Sequence, residues 1–358
     1  MNITYAIALS KFPAFGPVSL RNLSRNFPDL EQAFHAGVHE LIAAGIDEKT
    51  AEGFVAARAD INPERARAEN DAQGVSVISI DDAAYPRLLK EIPNPPLVLF
   101  SKGKLPGPEE TFVAIVGTRL PTPYGRTMAY EFAHGLAQCG VGIASGLASG
   151  VDTIAHTATL EVAGRTIAVL GCGLDTIYPP ANRDLAAQII GKGGALLSEF
   201  PVGTPPLKHH FPMRNRIIAG LARATLVVEG RATSGSLITA REALEQNRDV
   251  FAIPGEVGKP MAEGPNMLLK AGAAVAITPD DILMSLELRN ALPLGPSRPM
   301  TNDPVQEKIL GCLDKIPRSI DDVVQRSPLP AADVLAAITT LEMRKDVRDV
   351  GGGMYIRV

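Results

Sequence analysis

The sequence predicts an α/β protein: an extended Rossmann-like core on a parallel sheet, preceded by a small helical domain and followed by a winged-helix domain. Three observations carry this reading. Between about residues 75 and 285, short apolar runs alternate with amphipathic helical stretches, the pattern of parallel strands covered on both faces. Before residue 65 such runs are missing, and short helical stretches divided by turn residues replace them. After a proline-rich stretch come three helical segments and two β segments joined by Gly351-Gly352-Gly353, the layout of a winged helix-turn-helix. The expected divisions are a helical domain of the SAM or helix–hairpin–helix kind (1–70), the core (71–288), a linker (289–303) and the winged helix (304–358).

The head has helical stretches over Pro17–Phe27, Leu30–Ala36 and Asp47–Ala59, with turns at Gly16-Pro17 and Gly45-Ile46 and Asp47 as an N-cap. Up to Arg65 it holds 6 basic and 8 acidic residues. A packing or partner module therefore suits it better than a grip on DNA backbone. In the core the runs are Val75–Ile78, Leu97–Phe100, Val113–Val116, Val141–Ala144, Thr166–Leu170, Ala195–Leu197, Thr225–Val228, Val250–Ile253 and Val275–Ile277. Helical patterns over Tyr124–Gln138, Val151–Val162, Arg183–Ile190 and Ile238–Gln246 separate the later ones. Pro293, Gly295, Pro296, Pro299 and Pro304 mark the linker. Residues 300–358 carry 8 basic and 9 acidic side chains. On the third helix Asp333 and Glu342 cancel Arg344 and Lys345, which favours a protein-contact wing over a groove reader.

A chain of 358 residues can bury a sizeable core, and 46% hydrophobic with 21% charged residues is ordinary globular composition. A net charge of −4 argues against bulk-charge attraction to nucleic acid. No run approaches the roughly 18–20 apolar residues of a membrane helix, and no basic-then-apolar leader opens the chain, so a cytoplasmic protein without membrane contact is expected. Cys139, Cys172 and Cys312 are too scattered for a disulfide framework or a zinc motif. With no Trp and 5% aromatics, a broad base-stacking platform is not expected.

Ligands of an open α/β sheet sit beyond the carboxyl ends of its strands, where helix N-termini supply N–H donors. Here those ends are rich in Gly, Ser and Arg: Gly117-Thr118-Arg119, Ser145-Gly146, Gly171-Cys172-Gly173, Ser198-Glu199, and Glu229-Gly230-Arg231 leading to Ser234-Gly235-Ser236. Glycine admits a phosphate to the backbone and serine adds a hydroxyl donor. Five such turns along one edge point to an anion or nucleotide site. No P-loop occurs, and Gly171-Cys172-Gly173-Leu174-Asp175-Thr176 lacks the third glycine of a dinucleotide fingerprint, so neither an NTP nor an NAD cofactor is expected. Residues 200–228 hold Lys208, Arg214, Arg216 and Arg223 with no acid. Phe211–Ile218 opens a helix there, with Pro212 in its first turn and Arg214, Asn215 and Arg216 as donors. One of those arginines is expected to pair with Glu199 or Glu229, the rest to face phosphate. His209-His210, read as an extended pair, point apart and offer no metal site. Asp152 and His156, four apart on one helix, read as a structural pair.

The ordered set Val116-Gly117-Thr118-Arg119, Tyr124-Gly125, Ser145-Gly146-Leu147-Ala148, Val151-Asp152 with His156, Thr166–Gly171, Gly173-Leu174-Asp175 with Tyr178-Pro179, Phe211-Pro212 with Arg214–Gly220, and Ser234–Ala240 closely resembles the DNA-processing protein A (DprA/Smf) family. Tyr85-Pro86, Leu88-Leu89, Asn94-Pro95-Pro96, Phe251–Gly255 and Gly264-Pro265-Asn266 extend the likeness over about 76–280. The resemblance implies a single-stranded DNA binder that protects incoming DNA and loads the recombinase RecA in natural transformation. It also implies a dimerising core without catalytic activity. Arg119 would bind phosphate. Arg183 stands where the family usually has lysine, and Ser149 where many members have arginine.

The expected DNA- and phosphate-binding set is therefore Gly117, Thr118, Arg119, Ser145, Gly146, Arg183, Lys208, Arg214, Asn215, Arg216, Ser234, Gly235 and Ser236, with no catalytic or metal-binding residue. The competing reading is a Rossmann-type nucleotide-processing enzyme resembling nucleoside-monophosphate phosphoribohydrolases, in which Glu199 or Glu229 would act on a ribosyl centre. Its Pro-Gly-Gly-x-Gly-Thr turn is replaced here by Ala232-Thr233-Ser234-Gly235-Ser236.

Overall fold

A computed structural model describes residues 1–288, 303–314, 316–344 and 346–357. The described residues up to 288 form one compact unit and those from 303 a second. The first is built on nine strands: β1 (Ser76–Ser79), β2 (Val98–Gly103), β3 (Phe112–Val116), β4 (Gly142–Ser145), β5 (Thr166–Val169), β6 (Ala195–Ser198), β7 (Ala224–Val227), β8 (Asp249–Ala252) and β9 (Ala274–Val275). They lie in the order β1-β2-β6-β5-β4-β3-β7-β8-β9. All nine apolar runs form strands, with bounds within three residues of those expected.

The parallel expectation holds from β6 to β9, but β2 runs antiparallel to both β1 and β6. Connection length explains the exception. A parallel crossover needs a dozen or more residues, whereas Lys104–Thr111 is all that joins β2 to β3. Four strand spacings separate the two, about 19 Å. A short link covers that distance only along one edge of the sheet, so β2 must point the other way.

Period-2 alternation places Val113 and Ile115 of β3 on one face and Ala114 and Val116 on the other. The first face packs on Phe132, Ala133 and Leu136 of the Pro123–Gln138 helix and on Val151 and Ala155 of the Val151–Glu161 helix. The second packs on Ile217 and Ile218 of the His210–Gly220 helix and on Ala240 and Ala243 of the Gly235–Glu245 helix. Both faces are buried, which is why the strands read as unbroken apolar runs.

The head forms six helices, Ile3–Ser10, Pro17–Asn26, Leu30–His35, Val38–Ala43, Glu48–Ala57 and Pro63–Ala72. Asp47 caps the fifth by accepting the Thr50 N–H at 3.0 Å. Its apolar residues, including Leu9, Leu23 and Phe54, belong to the same buried cluster as Val98, Phe100 and Leu196 of the sheet. Lys11 adds a tether, its ammonium donating to Glu69 at 2.7 Å and to the Val202 carbonyl at 2.9 Å.

In the second unit the helices Pro304–Cys312, Ile320–Arg326 and Ala331–Met343 enclose Ile309, Val323, Val334, Ile338 and Leu341. Beside them lies a sheet of β10 (Arg318–Ser319), β11 (Val347–Asp349) and β12 (Met354–Arg357), a winged helix with one short strand more than the sequence suggested. The expected linker, 289–303, lies outside the described residues apart from its last residue, Asp303, and so does Lys345.

Candidate nucleic-acid interface

Chain order reverses between β3 and β7. The sheet grows through β4, β5 and β6 on one side of β3 and through β7, β8 and β9 on the other. Loops leaving β3 and β7 therefore diverge and open a crevice beyond the strand ends. That crevice is a groove of about 890 Å³. Its walls include Gly117, Thr118 and Arg119 after β3, Arg231, Ser234, Gly235 and Ser236 after β7, and Lys208, Phe211, Arg214 and Asn215 at the start of the His210–Gly220 helix.

Arg119 is exposed, with its guanidinium carbon 5.6 Å from the centre of the Phe211 ring. Arg214 approaches the same ring at 5.8 Å but is 4% exposed. Its Nη1 donates to the Gly146 carbonyl at 2.8 Å and to the Val169 carbonyl. Burial pulls its pKa down to about 10, opposed by the nearby Asp152 carboxylate. Asp152 is itself pushed up by burial and held back by Arg214, and it accepts the N–H groups of Gly146 (3.1 Å) and Ala148 (3.2 Å). Leu147 between them is a left-handed residue at φ 58°. Asn182 completes the clamp by donating to the Leu147 carbonyl at 2.8 Å.

That clamped loop sets the position of Arg119. Gly150, at φ 83°, lies so close that a Cβ there would stand 2.5 Å from the Thr118 carbonyl oxygen and 2.6 Å from the Arg119 carbonyl carbon. Glycine is required on both counts. On the opposite wall Ser234 caps the Gly235–Glu245 helix, and its hydroxyl lies 2.8 Å from that of Ser236. Asn215 donates to the Gly235 carbonyl at 3.3 Å, tying the two helix N-termini together.

Three expected residues have other partners. Arg216 forms a two-pronged ion pair with Glu199, at 2.7 and 2.5 Å, and donates to the Asn94 carbonyl. It is the arginine expected to pair with an acid, and it does not line the groove. Ser145 is fully buried, its hydroxyl donating to the Ile115 carbonyl at 2.7 Å. Gly146 backs on Arg214 and Asp152 and lines a small pocket among Arg119, Tyr178, Phe211 and Arg214. Arg183 is exposed on the first turn of the Arg183–Gly191 helix, outside the lining of the groove.

Two further expectations need correction. His156 does not pair with Asp152. Its Nδ1 meets the Thr166 hydroxyl at 2.6 Å, and burial lowers its pKa to about 3. His209 and His210 begin a helix instead of an extended strand, so their rings meet edge-on at 4.5 Å, and His210 stacks on Phe200. Among the described residues no group of His, Cys, Asp or Glu could hold a metal.

Among the groove residues absent from the expected set are a cation and two aromatic rings, Arg231, Phe211 and Tyr178. Arg231 follows β7 as Arg119 follows β3, so strand-end position could have found it. Phe211 and Tyr178, with ring centres 5.5 Å apart, carry no local signal, because their partnership spans separate loops. The acids required by the nucleotide-processing alternative lie outside the groove. Glu199 holds Arg216, while Glu229 accepts the N–H and hydroxyl of Thr122, and neither lines the groove.

Comparison with known proteins agrees with this geometry. Residues 76–287 match the family described as DNA recombination-mediator protein A, and residues 294–353 match the DprA winged helix domain. Protein Smf of Synechocystis is 37% identical over 99% of this chain and 98% of its own. DNA processing protein DprA of Bacillus subtilis is 46% identical over 61% of this chain and 73% of its own. Among solved structures, DNA processing protein A of Streptococcus pneumoniae covers 78% of this chain and 97% of its own at 36% identity, with a TM-score of 0.67. That of Helicobacter pylori, described for its single-stranded DNA binding mode, covers 60% of this chain and 95% of its own at 31% identity, with a TM-score of 0.52. The matched family is thus described as one of recombination mediators. With its switch-point groove, its winged tail and a relative matched along nearly the whole length, the chain belongs to the DNA-processing protein A (DprA/Smf) family.

Proposed function

We propose that this protein binds single-stranded DNA in the switch-point groove, protects incoming strands and loads the recombinase RecA onto them during natural transformation. The observation that carries the reading is the convergence of Arg119 and Arg214 on the Phe211 ring, at 5.6 and 5.8 Å. Exposed Lys208 and Arg231 flank them. Asp152 is the groove's acid, and it is already engaged by backbone N–H groups. Cations beside an accessible ring suit a phosphate followed by an unstacked base, which a single strand offers and a duplex withholds. Gly117, Thr118, Arg119, Lys208, Arg214, Asn215, Ser234, Gly235 and Ser236 form the binding set, and Arg231 joins them.

RecA loading is supported by the family's description as a recombination mediator. A homodimer is supported by an apolar rim at the β9 edge, where Met267, Val275, Ile277 and Met284 are exposed. The division into 1–70, 71–288, 289–303 and 304–358 separates the head, DNA-binding core, linker and protein-contact wing. No helix among the described residues is long and apolar enough to cross a membrane, which fits action on DNA in the cytoplasm. The test is a binding titration with single- and double-stranded oligonucleotides at two salt concentrations. Tight, salt-sensitive preference for the single strand is expected. Equal affinity for the duplex would overturn the reading.

A further inference from the structure

Beside the groove lies a second cavity of about 720 Å³, beyond the ends of β7 and β8. Met261 belongs to the walls of both, so the two are neighbours. The second is lined mainly by apolar side chains, among them Val228, Ile253 and Pro254, with two polar groups of interest. Tyr124 is 46% exposed, and its ring is held by a hydroxyl hydrogen bond to the Pro254 carbonyl at 2.8 Å. Glu229 is 5% exposed and takes one hydrogen bond from Thr122 on each carboxylate oxygen, at 2.9 and 2.6 Å. An ionised carboxylate offers about four acceptor positions, and Thr122 uses two of them.

We propose that this cavity is a guanine subsite for a strand lying in the groove, an inference that rests on the single-strand reading above. A strand leaving the groove across Met261 carries its next base towards an aromatic face and a buried pair of acceptors. Guanine presents N1–H and N2–H side by side, which matches two carboxylate oxygens. Adenine and cytosine place a ring acceptor beside the amino group, and thymine flanks its one N–H with carbonyls. Each would set a lone pair against a Glu229 oxygen. A buried site built to accept two hydrogen bonds discriminates strongly against a partner that cannot supply both.

The test compares a thymine-only strand with the same strand carrying isolated guanines, binding each to the full chain by fluorescence anisotropy. Wild type should prefer the guanine strand by about tenfold. Glu229→Gln keeps an acceptor for the Thr122 N–H but loses the second matched acceptor, and the preference should fall to about one. Tyr124→Leu, which removes the stacking face, should reduce the preference as well and guards against a folding artefact in the first variant. Binding of the thymine strand with no guanine preference would overturn the subsite and leave the single-strand reading standing. Loss of affinity for both strands in wild type would overturn that reading itself.

Discussion

Arg214 and Arg216 lie two positions apart on one helix, about 200° around its axis. They therefore cannot face the same way. Arg214 reaches the groove while Arg216 turns inward to Glu199, and the two should fail differently on mutation. Arg216→Ala strands a buried carboxylate and should cost about 3–5 kcal/mol of stability, read by urea unfolding. A variant as stable as wild type would show the pair to be dispensable. Arg119 is exposed, so Arg119→Ala should leave unfolding unchanged and weaken single-strand binding. Loss of one phosphate contact should flatten the slope of log affinity against log salt by about 0.7. An unchanged slope would remove Arg119 from the DNA contact.

His156 gives a pH dependence of known sign. Its folded pKa, about 3, lies below the usual value of 6.5, so the unfolded chain binds the proton first as pH falls. The stability associated with the neutral imidazole is complete above pH 6.5 and is lost progressively as the pH falls towards 3. Thermal melts between pH 7 and pH 5 should show a steeper decline for wild type than for His156→Gln, and parallel declines would refute this assignment.

Among the elements, the β4 strand and the loop after it show how a sheet edge becomes a binding surface. The Asp152 carboxylate, the Asn182 amide and the Arg214 guanidinium hold Gly146–Ala148 from three directions, around a left-handed Leu147. Such fixing in advance lowers the ordering cost of binding. The winged tail has a complete small core of its own and no basic surplus. Its third helix instead exposes Leu335 and Met343. Deleting residues 303–358 should therefore leave single-strand affinity within a few-fold, because phosphate neutralisation dominates that affinity. A much larger loss would make the tail part of the DNA contact.

At the level of the whole chain, the nine-stranded sheet ends at β9, a two-residue edge strand on which Val275 is exposed, as is Ile277 just after it. Leu268 packs on the sheet, whereas Met267 beside it faces outward. A self-complementary contact through Met267 and Ile277 would cover this rim. Sedimentation at micromolar concentration should find a dimer that Ile277→Asp disperses without unfolding. A strictly monomeric wild type would reject it, and a dimer that survives the charge would place the interface elsewhere. Two grooves on one particle would raise avidity for long strands without new contacts.

Strand positions, helix starts and the winged tail could be read directly from the chain because each depends on local periodicity. β3 alternates its faces within five residues, and Asp47 caps its helix within three. The glycine, serine and arginine at the strand ends were equally visible, since topology sends the carboxyl ends of parallel strands to one edge. Other features follow from contacts between residues far apart in sequence. Ser145 reads as a ligand until the Ile115 carbonyl thirty residues away takes its hydroxyl. Phe211 is an unremarkable helix residue until Tyr178, Arg119 and Arg214 gather round it. The direction of β2 depends on a short link spanning four strand spacings, and the cavity beside the groove on the loops after β7 and β8. A residue's type and spacing limit the bonds it can make, but which of those bonds forms is decided by the partners that folding brings within about 3 Å.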